Sequence, residues 1–132
     1  ITTLGEQGSV IDNGERGSVG IAAPKTVADP TGAGDSFRSG LLKGLLHGLD
    51  VPASARLGAT CASYCIEHQG TQEHVFTYED FAARHRAAYL IAPAHLGQSG
   101  VLPQQIQRVI GPDHAAPAVV CPATPSPDAF GV

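Results

Sequence analysis

The sequence predicts an α/β protein, because short β-prone runs and glycine turns are followed by three segments with helical spacing. The β-prone runs lie at residues 1–4, 9–12 and 17–22. A turn at 5–8 joins the first two runs, and a short extended segment at 26–28 leads into a glycine-rich stretch at 29–35. We therefore expect a sheet with helices packed against it.

The first helix is predicted over residues 33–49. Apolar residues recur there every four positions, at Ala33, Phe37, Leu41, Leu45 and Leu49, with Leu42 and Leu46 beside them. Glycines recur with the same spacing, at Gly40, Gly44 and Gly48. Because glycine lowers helix propensity, tertiary packing must support this helix, and we expect one face to pack tightly against another backbone.

Two further helices follow. Asp50 is a favourable N-cap for the second helix, and Gly70 is its predicted end. The buried stripe of this helix is predicted at Leu57, Cys61, Tyr64 and Cys65. The third helix is predicted to begin at Thr77, with Asp80 completing a variant of the capping box, and to run to about Leu90.

The last part of the chain differs in composition. Residues 93–132 contain seven of the ten prolines, which predicts an irregular tail after a folded unit over residues 1–92. Only residues 104–110 offer a helical turn or two. A fusion or frameshift junction near residue 92 is an alternative origin for this tail.

Composition narrows the function classes. A net charge of −4 with eight Lys and Arg gives no basic surface, so we do not expect nucleic acid as a partner. No apolar run approaches the length of a membrane span, so we expect no membrane partner. Three cysteines fit a reducing cytoplasm, which is the expected location. The chain has no methionine and begins at Ile1 inside a predicted strand, which indicates the C-terminal part of a longer protein.

The segment Asp-Pro-Thr-Gly-Ala-Gly-Asp at residues 29–35 is the candidate site. It combines a glycine turn with a helix start, where unpaired N–H groups can bind a phosphate. Asp35 lies where it could accept a proton from an attacking hydroxyl. A phosphate cradle beside a base is the minimum apparatus for phosphoryl transfer to an alcohol. The alternative is a plain helix entry in which Asp35 only complements the helix dipole.

Residues 29–40 resemble the C-terminal signature of the ribokinase-like (PfkB) family of sugar and nucleoside kinases. Residues 3–10 resemble the nucleotide-side strand and turn of that family, and residues 61–73 resemble the helix and loop that close its nucleotide pocket. The similarity covers about residues 1–90. It implies the C-terminal part of a Rossmann-like, three-layer α/β/α fold. The sequence pattern Glu-x-x-Gly-Thr-Gln at residues 67–72 most resembles the bacterial adenosine-kinase-like branch of the family.

The resemblance assigns roles to individual residues. It implies that Asp35 is the catalytic base and that the anion hole consists of Gly32, Ala33 and Gly34. The implied nucleotide-binding positions are Thr3, Leu4, Gly5, Gly8 and Gly70, and a plain hairpin is the alternative for the first four. Asp29 and Thr31 match positions that help bind a monovalent cation in many members. A turn or cap role for Asp29 and Thr31 is an equal alternative.

The resemblance implies an ATP-dependent kinase that phosphorylates the hydroxyl of a sugar or nucleoside, with Mg²⁺ and, in many members, K⁺. It also allows a homodimer of the intact protein. The competing hypothesis is a non-catalytic nucleotide-binding remnant or interaction module.

Several other side chains are expected to have no part in this chemistry. Arg38 is interpreted as a surface residue. A metal site built from Cys61, Cys65 and His68 is disfavoured, because the cysteines fit an apolar stripe and no fourth ligand is apparent. The remaining histidines are expected to face solvent: His47, His74, His85, His95 and His114.

Overall fold

The computed structural model describes residues 1–89, which form a three-stranded antiparallel sheet and three α-helices. The strands are β1 (Thr2–Thr3), β2 (Ser9–Asp12) and β3 (Arg16–Val19), in the order β1-β2-β3. The helices are α1 (Ala33–Leu46), α2 (Val51–Cys65) and α3 (Tyr78–Tyr89). This combination confirms the predicted α/β class. The predicted tail at 93–132, its helical turns at 104–110, His95 and His114 lie outside the described residues.

The sheet is shorter than predicted at two of its strands. β1 has two residues where four were predicted, and β3 begins at Arg16 and ends at Val19, three residues before the predicted end. β2 has the predicted bounds and pairs with both neighbours. Gly8 makes the turn between β1 and β2 feasible, because its φ is +84° and a Cβ there would lie 2.2 Å from the Val19 carbonyl oxygen.

Helices α1 and α2 approach each other through glycines. A Cβ on Gly40 would lie 2.8 Å from the Gly58 Cα, and a Cβ on Gly44 would lie 2.6 Å from the Ser54 Oγ. On the α2 side, a Cβ on Gly58 would lie 2.5 Å from the carbonyl oxygen of Phe37. Real Cβ atoms do not approach other heavy atoms so closely, so the two backbones meet with no space for side chains. The prediction of a tightly packed glycine face is confirmed for Gly40 and Gly44.

The leucines of α1 are largely outside the core. Leu42, Leu45 and Leu46 are 57%, 40% and 84% exposed, so the predicted apolar face is only partly buried. The reason is that the glycine face packs on α2 and leaves these side chains on the other sides of the helix. Helix α1 also ends at Leu46 rather than at residue 49, and Gly48 follows it with a φ of +78° and no atom within 4 Å of its Cβ position.

Helix α2 lies between the sheet and α3. One buried cluster joins both strands β2 and β3 to α1 and α2, and consists of Ile11, Val19, Phe37 and Ala55. A second cluster joins α2 to α3 and consists of Leu57, Tyr64 and Phe81. Three of the four residues predicted for the buried stripe of α2 are indeed buried, and Cys61 is half-buried.

The ends of α2 and α3 follow from local capping. The Asp50 Oδ1 accepts a hydrogen bond of 2.7 Å from the Ala53 N–H, which confirms the predicted N-cap. Helix α2 ends at Cys65, earlier than predicted, and Gly70 lies in the following loop with a φ of +90°. Thr77 accepts a 3.2 Å hydrogen bond from the Asp80 N–H and caps α3 as predicted. Within residues 1–89, no helix is long and apolar enough to cross a membrane.

Among residues 1–89, one histidine is buried and His74 is half-buried, contrary to the prediction that both face solvent. His85 on α3 is 1% exposed, and its Nδ1 lies 3.0 Å from the Thr60 Oγ1 on α2. Burial, and next the positive charge of Arg56, lower the pKa of His85 to about 4. The expectation that His85 faces solvent is therefore wrong, because His85 lies on the same face of α3 as Phe81 and Tyr89. The centres of those two rings lie 6.1 and 5.0 Å from the centre of the His85 ring.

Candidate active site

The start of α1 presents unpaired backbone donors. Gly32 precedes the helix in the left-handed conformation, with φ +84° and ψ −6°, and no side chain caps this end. The Ala33 N–H donates to the Pro30 carbonyl oxygen at 3.2 Å. Within residues 1–89, no hydrogen bond uses the N–H groups of Gly32 or Gly34. The three predicted anion-hole residues therefore lie together at a helix N-terminus, where such groups favour a negative charge.

Asp35 lies in the first turn of α1, directly after these donors. Its Oδ1 is 2.6 Å from Arg38, and the side chains of Asp35 and Arg38 are 80% and 73% exposed. Arg38 is a surface residue as predicted, but the prediction missed its pairing with Asp35, which the i,i+3 spacing could have indicated. An ion pair as exposed as this one contributes at most about 1 kcal/mol, so an incoming group can displace it.

Asp29 connects the glycine motif to the loop after α2. Its Oδ1 accepts a 2.9 Å hydrogen bond from the Thr31 N–H, and its Oδ2 accepts one of 3.1 Å from the Gly70 N–H. Hydrogen bonds from the side chain and backbone of Thr31, and next from Gly70, lower the pKa of Asp29. The Ile66 carbonyl oxygen adds a further link, because it accepts from the N–H groups of Ala28 and Asp29 at 2.8 and 3.2 Å. Gly70 thus lies beside the motif, although it is far from it in sequence.

Cys65, the last residue of α2, lies between the same two loops. Its Sγ is 3.5 Å from the Thr31 carbonyl oxygen and 3.7 Å from the Thr71 carbonyl oxygen, and the residue is fully buried. The loops also touch directly, because a Cβ on Gly32 would lie 2.9 Å from the Thr71 Cβ. The glycine of the motif is therefore required both by its left-handed backbone and by this close approach.

The disfavoured metal site at Cys61, Cys65 and His68 is not formed. Burial raises the pKa of the Cys61 thiol to about 12, so this thiol stays protonated at neutral pH. The His68 Nδ1 lies 3.1 Å from the Tyr64 carbonyl oxygen. The described part of the chain has no group of three His, Cys, Asp or Glu residues that could hold a metal ion.

The loop after α2 is also held from α3 by a buried ion pair that the sequence did not predict. The guanidinium of Arg84 binds both carboxylate oxygens of Glu67, at 2.9 and 3.0 Å, and the two side chains are only 10% and 9% exposed. The same guanidinium lies 3.6 Å from the centre of the Tyr64 ring. Glu67 also accepts a hydrogen bond from the Lys25 N–H, at the start of the segment that leads to the motif.

Electrostatics favour the charged form of Glu67. Burial alone would raise the pKa of this carboxyl group, but the hydrogen bonds and charges of Arg84 and Lys25 outweigh burial and lower it. No pattern in a single sequence identifies such a pair, because Glu67 lies in the loop after α2 and Arg84 lies 17 positions later in α3.

The predicted nucleotide-side turn forms a separate feature at the edge of the sheet. The Leu4 N–H donates to the Gly8 carbonyl oxygen at 2.7 Å, and the Gly8 N–H donates to the Gly5 carbonyl oxygen at 3.0 Å. Thr3 is the last residue of β1 and pairs with Ser9. No hydrogen bond within residues 1–89 joins this turn to residues 29–35, so its nucleotide-binding role stays a prediction.

Comparison with known proteins identifies the family. Residues 1–77 match the pfkB family of carbohydrate kinases. The chain belongs to this family. It is 36% identical over 75 residues to a nucleoside kinase from Methanothermobacter thermautotrophicus, a match that covers 57% of this chain and 24% of that protein. The chain spans about a quarter of the length of the curated pfkB relatives that it matches first.

Two solved structures of the ribokinase type share the fold. The nucleoside kinase of Methanocaldococcus jannaschii, an archaeal member of the ribokinase family, aligns with a TM-score of 0.60 and 32% identity over 64% of this chain and 29% of that chain. The Burkholderia thailandensis nucleoside kinase in complex with inosine aligns with a TM-score of 0.64 and 36% identity over 69% of this chain and 30% of that chain. The predicted ribokinase-like α/β fold is therefore confirmed.

Proposed function

We propose that the intact protein is an ATP-dependent kinase that transfers the γ-phosphoryl group of ATP to a hydroxyl group of a nucleoside or sugar. Membership of the pfkB family supports this proposal. The structural observation that carries it is the start of α1, where unpaired N–H groups of Gly32 and Gly34 are followed at once by the Asp35 carboxylate. This arrangement supplies an anion hole and a base within one turn of helix.

In the proposed mechanism, the unpaired N–H groups of Gly32 and Gly34 bind the equatorial oxygens of the transferring phosphoryl group, and Ala33 holds the turn between them through its hydrogen bond to Pro30. Asp35 accepts the proton of the acceptor hydroxyl and holds that oxygen in line with the phosphorus. Phosphoryl transfer depends mainly on positioning and charge neutralisation, so this orienting role matters as much as proton transfer. Because Arg38 is exposed, it can leave Asp35 when the acceptor binds and then face the phosphate charge.

We propose a nucleoside as the first acceptor class to test. The support is that a curated relative and both solved structures are named nucleoside kinases, and that one of those structures contains inosine. The sequence pattern at residues 67–72 resembles the bacterial adenosine-kinase-like branch, so adenosine is among the nucleosides to be tested. Glu67 itself is engaged in the ion pair with Arg84.

Three cofactor assignments belong to the same proposal. ATP would contact the start of α1 through its γ-phosphate, with Thr3, Leu4, Gly5, Gly8 and Gly70 on the nucleotide side. Residues 1–89 contain no cluster that could hold a metal ion by itself, so we propose that Mg²⁺ enters with the nucleotide. A monovalent cation such as K⁺ would use the lone pairs of Asp29 that the N–H groups of Thr31 and Gly70 leave free, together with the oxygens of Thr31. A cytoplasmic location fits the free thiols of Cys61 and Cys65.

The test is an ATP-consumption assay of the full-length protein against nucleosides and sugars, with Mg²⁺ and with or without K⁺. We expect Asp35→Asn to lower kcat by about a hundredfold or more, within the range of general acid–base groups, with little change in ATP affinity. Asp12→Asn is the matched control, because Asp12 is an exposed acid at the end of β2. A kcat for Asp35→Asn within a few-fold of wild type would show that Asp35 is not the base.

A further inference from the structure

The direction of one donor of the proposed anion hole, the Gly32 N–H, is set by a peptide group whose carbonyl oxygen faces Cys65. The carbonyl of Thr31 and the N–H of Gly32 belong to one peptide group, and residues 1–89 contain no cis peptide bond. In a planar trans peptide, the C=O and N–H bonds point in opposite directions. The direction of the Thr31 carbonyl therefore fixes the direction of the Gly32 N–H.

The Thr31 carbonyl oxygen lies 3.5 Å from the Cys65 Sγ, which is within reach of a thiol hydrogen bond. Cys65 is fully buried, so no water can replace the thiol as a partner without a change in packing. The same sulfur lies 3.7 Å from the Thr71 carbonyl oxygen, in the loop that contacts Gly32. The Cys65 thiol thus donates to the Thr31 carbonyl oxygen from inside the fold, which gives the Thr31 peptide a reason to keep this orientation.

We propose that Cys65 is a positioning residue of the anion hole: its thiol holds the Thr31 carbonyl and thereby directs the Gly32 N–H toward the transferring phosphoryl group. This inference rests on the proposed kinase function and adds a residue to it. The thiol touches neither substrate nor cofactor in this scheme. Its effect is to keep one donor aligned with the charge that develops during transfer.

Cys61 supplies a matched control, because it is a half-buried cysteine of the same helix, one turn before Cys65. Its sulfur lies toward Gly40 of α1 and away from the motif, since a Cβ on Gly40 would lie 2.9 Å from the Cys61 Sγ. Cys61→Ala and Cys65→Ala remove the same atom from the same helix. Only the second variant removes a partner of the Thr31 carbonyl.

The experiment compares Cys65→Ala, Cys65→Ser and Cys61→Ala in the full-length protein by kcat, KM for ATP, thermal midpoint and the amide resonance of Gly32 in ¹⁵N-labelled protein. We expect Cys65→Ala to lower kcat about tenfold with KM for ATP within twofold, because misaligning a donor affects the transition state more than ground-state binding. Cys65→Ser should recover most of kcat, since a hydroxyl can donate to the same carbonyl. The Gly32 amide should shift in Cys65→Ala and stay in place in Cys61→Ala.

Either of two results would overturn the inference. One is a Gly32 amide that is unchanged in Cys65→Ala. The other is a loss of kcat that follows the thermal midpoint equally in Cys65→Ala and Cys61→Ala, which would show a packing role only. Failure of the proposed function is distinguishable, because the wild-type protein would then transfer no phosphoryl group, while the Gly32 resonance would still report whether Cys65 orients this peptide.

Discussion

Acidification from pH 7.5 to pH 5 is expected to destabilise the protein through one buried imidazole, that of His85. Thr60 donates to the Arg56 carbonyl oxygen at 2.9 Å, which leaves its hydroxyl oxygen to accept from the His85 Nδ1 at 3.0 Å. A neutral ring satisfies this arrangement, while a second proton would place a positive charge inside the α2–α3 interface. The guanidinium of Arg56 adds a like charge to the cost of protonation.

The size of the effect follows from the two pKa values. The pKa of His85 is about 4 in the folded protein and 6.5 when unperturbed, so the unfolded state binds more protons throughout this interval. Stability from the neutral ring is therefore complete above pH 6.5 and is lost as the pH falls toward 4. One pKa unit corresponds to 1.36 kcal/mol, and the linkage relation gives a loss of about 2 kcal/mol at pH 5.

The assay is urea unfolding at pH 7.5, 6.5, 5.5 and 5.0 for wild type, His85→Phe and His47→Gln. We expect His85→Phe to flatten the pH dependence of the unfolding free energy by about 2 kcal/mol across this range. His47→Gln should follow wild type, because His47 is exposed after α1. Equal pH dependence in wild type and His85→Phe would refute the reasoning.

The comparison of wild type with His85→Phe separates the effect of His85 from those of the other titrating groups. Glu67 and Asp29 have lowered pKa values, so their contributions are complete above their ordinary values of 4.5 and 3.8 and are lost only in more acidic solution. Burial, and next the charge of His68, lower the pKa of His74, which therefore acts in the same direction and pH range as His85. Its contribution is common to wild type and His85→Phe and cancels in their difference.

Two further predictions concern stability. Gly58→Ala should destabilise the protein by about 1–3 kcal/mol in urea unfolding despite the better helix propensity of alanine, because the new Cβ would lie 2.5 Å from the Phe37 carbonyl oxygen. The control variant Gly17→Ala should be nearly neutral, because no atom lies within 4 Å of its Cβ position. Equal effects of the two substitutions would contradict the close packing of α1 and α2. Glu67→Gln should cost about 3 kcal/mol, because it leaves the Arg84 charge buried without its partner. Full recovery of stability in the double variant Glu67→Gln, Arg84→Met would support this cause, whereas a Glu67→Gln variant as stable as wild type would contradict it.

Local chemistry explains which elements could be predicted from the sequence. The N-caps of α2 and α3 depend on side chains within three residues of the helix start, so Asp50 and Thr77 marked both starts correctly. The end of α1 was harder to predict, because leucines continue to Leu49 after the hydrogen-bonded helix has ended at Leu46. The motif residues from Gly32 to Asp35 were placed together because they are adjacent in the chain.

Tertiary contacts explain what the sequence could not predict. Thr31 lies 34 positions from Cys65 and Arg84 lies 17 positions from Glu67, and no periodicity records such pairings. His85 is a different case, because it lies four residues from Phe81 and four from Tyr89. That spacing places it on the face of α3 that carries these rings, so the helical pattern held a signal of its burial.

The chemistry of the site and its geometry therefore have different origins in this chain. A single run of seven residues supplies the proposed donors and the proposed base, which is why a family signature is enough to predict phosphoryl transfer. Their alignment depends on the loop after α2, which Asp29 joins to the motif and which the Arg84–Glu67 pair holds from α3. A substitution on α3 can thus disturb the proposed anion hole without touching it. A pfkB-like chain that keeps the motif but loses this support would then retain the signature with a misaligned site.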